Sequence, residues 1–278
     1  MRLLALTAAT MLGFAANSLL TRGALGPDRI DWASFTLIRL VSGAVTLALL
    51  VRLRGRAAGA RGSWTGGVAL AGYAVAFTWA YTRIGAAVGA LLLFGAVQAT
   101  MIGTGIARGE RPRPVDWLGM SLAIVGLLAL TVPGVTAPDA AGATLMMAAG
   151  VCWGIYSLIG RGSRDPLAAT SANFLRAAVL AAIAIGWLLA RAHADAVGLG
   201  FAVASGSLAS GVAYTIWYAV LPSLAAWRAA IVQLTVPVIT GLLAALLLGE
   251  ALTGRLLVAT ALIGAGVVLT VAPARRRG

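Results

Sequence analysis

The chain has 278 residues, of which 60% are hydrophobic and 10% charged, and its mean hydropathy is +0.95. A soluble domain of this size has no use for so much apolar surface, and the strands of a membrane barrel would alternate apolar with polar residues, which this chain does not do. The net charge is +13, with 21 arginines, no lysine and eight carboxylates; the arginines lie in short gaps between apolar runs and read as topology signals, so no nucleic-acid partner is expected.

Apolar stretches of about 17–25 residues make spanning helices. Ten are predicted, at 3–21, 32–51, 64–82, 86–107, 115–133, 142–160, 167–190, 198–220, 226–248 and 254–272. The first run could be mistaken for a cleaved leader, but its pattern recurs at 147–161, so it reads as a span. Gly26-Pro27, Pro112, Pro114, Pro133-Gly134, Pro138, Pro166 and Pro222 punctuate the gaps. With the N-terminus inside, fourteen arginines fall on the inner side and five on the outer. This predicts cytoplasmic termini and a multi-pass protein of a bacterial inner membrane.

The pattern occurs twice, once in residues 1–134 and again in 140–278. Phe14-Ala-Ala-Asn-Ser-Leu-Leu-Thr-Arg-Gly23 returns as Trp153-Gly-Ile-Tyr-Ser-Leu-Ile-Gly-Arg-Gly162, Gly109-Glu110 as Gly249-Glu250, and Arg39 as Arg176. Five spans per unit is odd, so the second unit is predicted to enter the bilayer from the opposite side. The fold class is therefore all-α, two inverted five-helix repeats, with a substrate site between them near the midplane.

All eight carboxylates (Asp28, Asp31, Glu110, Asp116, Asp139, Asp165, Asp195, Glu250) fall in gaps or at helix ends. A proton-coupled carrier usually places one inside a span, so gradient-driven movement is the simpler expectation. Glu110 and Glu250 each follow Gly and are expected to face the N-terminus of the next span, with gating as the alternative. Arg39 and Arg176 are the charges well inside spans. Each is read as snorkelling towards a membrane face, or else as a gate contact or an anchor for a substrate carboxylate.

Aromatic and polar residues recur at helical spacing. Tyr73, Phe77 and Tyr81 share a face of span 3. In span 8, Ser207, Gly211, Tyr214 and Tyr218 form a stripe beside Trp217. Span 6 carries Trp153, Tyr156, Ser157 and Gly160; span 1 matches with Phe14, Asn17, Ser18 and Thr21. Gln98 and Gln233 lie deep in spans 4 and 9, where an unsatisfied amide is costly. Interfacial belts account for Trp32, Trp64, Trp117 and Trp187. A cavity is expected to gather the substrate-binding candidates Asn17, Tyr73, Phe77, Tyr81, Gln98, Trp153, Tyr156, Tyr214, Trp217, Tyr218 and Gln233. Abundant intraspan glycine, such as Gly119, Gly126, Gly264 and Gly266, suits close helix packing. His193 falls in a gap and Cys152 is the single cysteine, so neither a metal site nor an intrachain disulfide is expected. No nucleophile–base or nucleotide-binding motif is present, so the chain reads as neither an enzyme nor a primary pump.

The order of Arg22-Gly23, Phe35 to Arg39, Gly109-Glu110 and Gly126, repeated as Arg161-Gly162, Asn173 to Arg176, Gly249-Glu250 and Gly266, resembles the EamA repeat of the drug/metabolite transporter superfamily. Within it the chain is similar to YddG-type exporters of aromatic amino acids and some drugs. That resemblance implies two five-helix bundles, a central cavity, and no cofactor or metal. The expectation is a secondary transporter exporting amino acids and related metabolites or drugs by alternating access, with a small-molecule substrate and the bilayer as partners, and a monomer. The alternatives are a nucleotide-sugar or phosphorylated-metabolite carrier, and a non-transporting membrane scaffold.

Overall fold

The computed structural model of this chain describes residues 1–55, 62–132, 139–248 and 251–271. Gly249, Glu250, Pro133-Gly134, Pro138 and Arg275 to Arg277 lie outside the described residues. The described chain is helical, with no β-strand beyond one isolated bridge between Ile30 and Ala194. Its helices are α1 (Arg2–Leu25), α2 (Trp32–Leu53), α3 (Trp64–Tyr81), α4 (Ala86–Ala107), α5 (Pro114–Thr131), α6 (Ala140–Gly160) and α7 (Pro166–Ile185). After them come α8 (Ala196–Ala204), a π-helical segment (Ser205–Val212), α9 (Ala213–Val220), α10 (Ala226–Gln233), α11 (Thr235–Leu248) and α12 (Gly254–Val271).

Among the described residues, eight helical stretches are long and apolar enough to cross a membrane; Ala196–Ser223 and Ala226–Leu247 each count as one stretch. Side chains such as Leu12, Val41, Val45, Leu49, Val68, Ile183 and Leu246 are exposed. Helices that satisfy their own backbone and turn apolar side chains outward are what a bilayer admits. The chain is a multi-pass membrane protein.

The carboxylates cap helices. Asp31 accepts from Ser34 N–H (2.9 Å), Asp139 from Gly142 N–H (2.8 Å), Asp165 from Ala168 N–H (3.3 Å) and Asp195 from Gly198 N–H (2.6 Å), each satisfying an orphan donor of a first turn. Asp116, within the first turn of α5, reaches back instead and accepts from the N–H of the N-cap residue Arg113 at 2.7 Å, with Pro114 at the first helical position.

Glu110 corrects an expectation. Instead of facing the next helix, α5, both its oxygens (3.0 and 2.9 Å) accept from the backbone N–H of Ala226, the first residue of α10. Arg161 pairs with it at 2.8 Å. The preceding Gly109 has φ +88°, and Glu110 N–H returns to the carbonyl of Gly105 at 2.9 Å. This left-handed C-terminal cap ends α4 and swings the carboxylate away from α5, where Asp116 already serves.

The connections fall into two groups. At one end Arg29 pairs with Asp195 (3.3 Å), His193 meets Asp28 (3.1 Å), Arg83 pairs with Asp139 (3.1 Å), and Trp32 stacks on Trp79 at 5.3 Å. At the other, Glu110 joins Arg161 and Ala226, and Asn173 accepts from Ser63 N–H at 3.1 Å. Among the described residues, the helices joined by these connections therefore alternate in direction from α1 to α10.

Two stretches expected to be continuous helices are interrupted. The stretch through 198–220 contains the π-helical segment, and the one through 226–248 breaks at Leu234 between α10 and α11. Pro237 explains the second break: it has no N–H, and its ring excludes the carbonyl four residues back, that of Gln233. At the π segment, a Cβ added to Gly206 would lie 2.1 Å from the carbonyl oxygen of Arg39, so α2 crosses it backbone against backbone. Elsewhere Gly119, Gly126 and Gly266 serve close packing of α5 on α12, whereas Gly264 faces open space.

Candidate functional site

Aromatic rings meet where α1, α3, α6 and α9 converge. Phe14 stands edge-on to Trp153 (5.2 Å) and Tyr214 (5.6 Å); Tyr73 lies 5.0 Å from Trp153 and 5.5 Å from Phe77, and Trp153 4.7 Å from Tyr214. These rings, with Asn17, Ser18 and Gln233, surround a central cavity completed by Leu93, Phe94 and Val236. Water centres can occupy about 40 Å³ of it. A drug-sized ligand pocket is typically about 300–1,000 Å³, so this chamber is narrow, with room for a few waters.

Its polar groups are held in place. Gln233 is fully buried; its carbonyl oxygen accepts from Trp153 Nε1 at 2.6 Å, and its amide nitrogen meets Ala229 O (3.2 Å) and Met101 Sδ (3.3 Å). Asn17 Oδ1 accepts from the hydroxyl of Ser205 at 2.7 Å. Both interrupted helices reach this place: the π segment supplies Ser205, and the Pro237 break falls beside Gln233 and Val236. Irregular backbone at membrane depth persists where it lines a cavity or is packed in protein.

Six of the eleven predicted residues line the chamber: Asn17, Tyr73, Phe77, Trp153, Tyr214 and Gln233. Five do not. Gln98 points from α4 to α10, donating to the carbonyl of Ala230 at 2.8 Å, and edges a separate groove between α4 and α5. Tyr81 continues the α3 stripe beyond Phe77, at 5.1 Å. Tyr156, Trp217 and Tyr218 are packed solid: Trp217 Nε1 donates to Ser157 Oγ (3.1 Å) and the Tyr218 hydroxyl to the Tyr156 carbonyl (3.0 Å). The π segment accounts for the misplaced stripe on span 8. Its wider turn shifts the helical phase, so Ser207 bonds Thr46 at 2.9 Å and borders an outward groove, while Ser205 and Ser210 turn inward. Phe14, Ser18, Leu93, Phe94 and Val236 also line it and are not among the expected candidates; the signal for Phe14 is its repeat partner Trp153, which it touches.

The two spanning arginines part ways. Arg176 is half-buried against the start of α3, its guanidinium 5.4 Å from the exposed ring of Trp64 and its Nη1 buried without a hydrogen-bond partner. Arg39 is 1% exposed, so it reaches no membrane face. Its partners are hydroxyls, not loop carbonyls: Nε donates to Ser210 Oγ (3.0 Å) and Nη2 to the Tyr214 hydroxyl (2.7 Å).

Comparison with known proteins fits this picture. Residues 140–272 match the EamA-like transporter family. Over 273 residues, 98% of its length, the chain is 50% identical to the uncharacterized protein PA1977 of Pseudomonas aeruginosa, 95% of which is covered. A protein solved by crystallography shares the fold, with a TM-score of 0.78 at 22% identity over 97% of this chain and 99% of that one. The fold defines an all-helical, multi-pass membrane protein. The chain belongs to the EamA-like transporter family of the drug/metabolite transporter superfamily, a family of transporters rather than enzymes.

Proposed function

We propose that this chain is a secondary transporter that exports aromatic amino acids and related flat metabolites or drugs from the cytoplasm of a bacterium, in the manner of YddG-type exporters. It works as a monomer of ten spans by alternating access between two oppositely oriented halves, 1–134 and 140–278, with both termini cytoplasmic. One observation carries the reading: a narrow, ring-lined chamber among the apolar helices, carrying two held amides and bounded by two interrupted helices. Rings stack on a flat solute, and Asn17 and Gln233 orient its polar groups.

Two further observations support the halves. Phe14 with Trp153, Tyr73 with Tyr214, and Leu93 with Gln233 stand 139 to 141 residues apart, and all six residues line the chamber. α1 and α6, which start the two units, also begin at opposite ends of the molecule, as the pairing of the connections requires. The volume of the chamber means that the solute enters only after rings or helices move apart, which alternating access supplies. The described carboxylates are engaged at helix ends, so gradient-driven movement without a central proton carrier remains the simplest coupling. A phosphorylated solute would call for several cations at the chamber, and Arg176 is too far towards one end to serve.

The test is counterflow of labelled phenylalanine and tryptophan in liposomes, with and without a proton gradient. Tyr214→Ala and Gln233→Ala are expected to lower uptake while the protein stays monodisperse. Unchanged kinetics in both would put the chamber in the wrong place, and a strict requirement for the proton gradient would overturn the coupling.

A further inference from the structure

Arg39 has a charge that the protein does not balance. The side chain is 1% exposed, and Nη1 has no hydrogen-bond partner. Among the described residues no carboxylate oxygen lies within 4 Å of the guanidinium. Its neighbours are the hydroxyls of Ser210 and Tyr214, the polar end of Tyr73, and the ring faces of Tyr73 at 5.4 Å and Phe77 at 6.0 Å, all of them neutral. Hydroxyls and π faces offset part of the cost of taking a cation out of water, but they supply no counter-charge. Arginine is dispensable for merely tying α2 to the π segment, since a neutral donor would bond Ser210 and Tyr214 without that cost.

Three of these neighbours, Tyr73, Phe77 and Tyr214, also line the chamber. The cation therefore stands directly behind the chamber wall, and a solute that parts those rings meets Nη1. We propose that Arg39 is the anion-binding residue of the transport site, and that the solute is a small ring-bearing carboxylate whose carboxyl group pairs with Nη1. The claim rests on the chamber being the transport site, and it names the chemical class that site selects. A carboxylate supplies the missing opposite charge and accepts charge-assisted hydrogen bonds, which are stronger than those to a hydroxyl. The same uncompensated charge repels cations, so aromatic amines without a carboxyl group are excluded. The repeat partner Arg176 also has an unpartnered Nη1, but it is only half-buried and stands against Trp64 near one end, away from the rings that line the chamber.

The experiment uses the purified full chain in nanodiscs and three ring-matched probes, 3-phenylpropionate, phenylalanine and 2-phenylethylamine, followed by thermal shift and titration. The wild-type protein is expected to bind the two carboxylates and not the amine. Arg39→Gln is expected to weaken 3-phenylpropionate binding by about 10- to 100-fold, the range that loss of a charged hydrogen-bond partner implies. Arg39→Lys, which keeps the charge, is expected to recover part of the affinity. Equal 3-phenylpropionate affinity in wild type and Arg39→Gln would overturn the proposal. So would a wild-type preference for the amine that Tyr214→Ala abolishes, which would leave the chamber standing as the site. Failure of every probe to bind would overturn the chamber and the arginine role together. Should Arg39→Gln not accumulate, the charge series on the wild type and Arg39→Lys decides the matter.

Discussion

Removing the carboxylate of Glu110 should loosen the helix that carries Gln233. α10 is only eight residues long and ends at the Pro237 break, so it has little internal hydrogen bonding to hold it. Its first N–H, on Ala226, is satisfied by Glu110, and Glu110 is paired with Arg161. The two oxygen contacts share one hydrogen and count as a single charge-assisted bond, worth about 1.5–3 kcal/mol. The Glu110 and Arg161 side chains are 18% and 26% exposed, so the ion pair sits near the surface range of about 0.2–1 kcal/mol. The favourable field of the helix N-terminus is largely contained in the hydrogen bond and is not added again. Glu110→Ala should therefore cost about 2–4 kcal/mol. Glu110→Gln keeps an acceptor and loses the charge, so about 1 kcal/mol is expected. At about 2–4 °C per kcal/mol for a chain of this size, Glu110→Ala should melt roughly 4–16 °C lower. The assay is thermal unfolding of purified protein in detergent, followed by size-exclusion recovery and by tryptophan fluorescence. A melting temperature for Glu110→Ala indistinguishable from wild type would refute the cap. Equal losses in Glu110→Gln and Glu110→Ala would refute the role given to charge.

Other outcomes can be checked alongside. Gly266→Leu should cost about 1–3 kcal/mol or more through overpacking, because even a Cβ there would lie 2.5 Å from the Gly119 carbonyl oxygen, and lower expression with a lower melting temperature is the readout. Pro237→Ala restores a backbone N–H that can reach the Gln233 carbonyl; the chain should melt no lower than wild type yet transport more slowly, because the interruption beside the chamber is lost. The backbone N–H of Gly142 and the guanidinium of Arg83 hold the Asp139 carboxyl below the usual carboxylate range. A depressed value adds stability above the unfolded value and loses it as pH falls through the folded one. Asp139→Asn should therefore differ from wild type equally at neutral pH and at about pH 5, with the difference shrinking only in stronger acid.

How far the sequence reads through to the structure differs by residue. The four N-capping aspartates, Asp31, Asp139, Asp165 and Asp195, are recognisable as end residues, because a carboxylate is costly in lipid and cheap at a helix start. Tyr73, Phe77, Trp153 and Tyr214 were legible because helical spacing puts them on one face. Trp217, Tyr218 and Tyr156 share that spacing and nonetheless fill the core, since spacing tells which face a residue occupies and not what packs on it. Gln98 has the depth of Gln233, but its helix turns it to α10. Ser205 and Ser210 could not be found by α-helical periodicity, because the π segment changes the period.

The chain by itself determined that it lives in a bilayer, where its helices run and where its charges stop. Those follow from local transfer costs and backbone geometry, which each stretch carries within it. Tertiary structure alone decided which rings enclose the chamber, that Glu110 caps α10, and that Arg39 stays buried without an opposite charge while Arg176 is only half-buried near one end. Each of these depends on which distant segment lies alongside, and a contact between segments a hundred or more residues apart leaves no periodic trace in either of them.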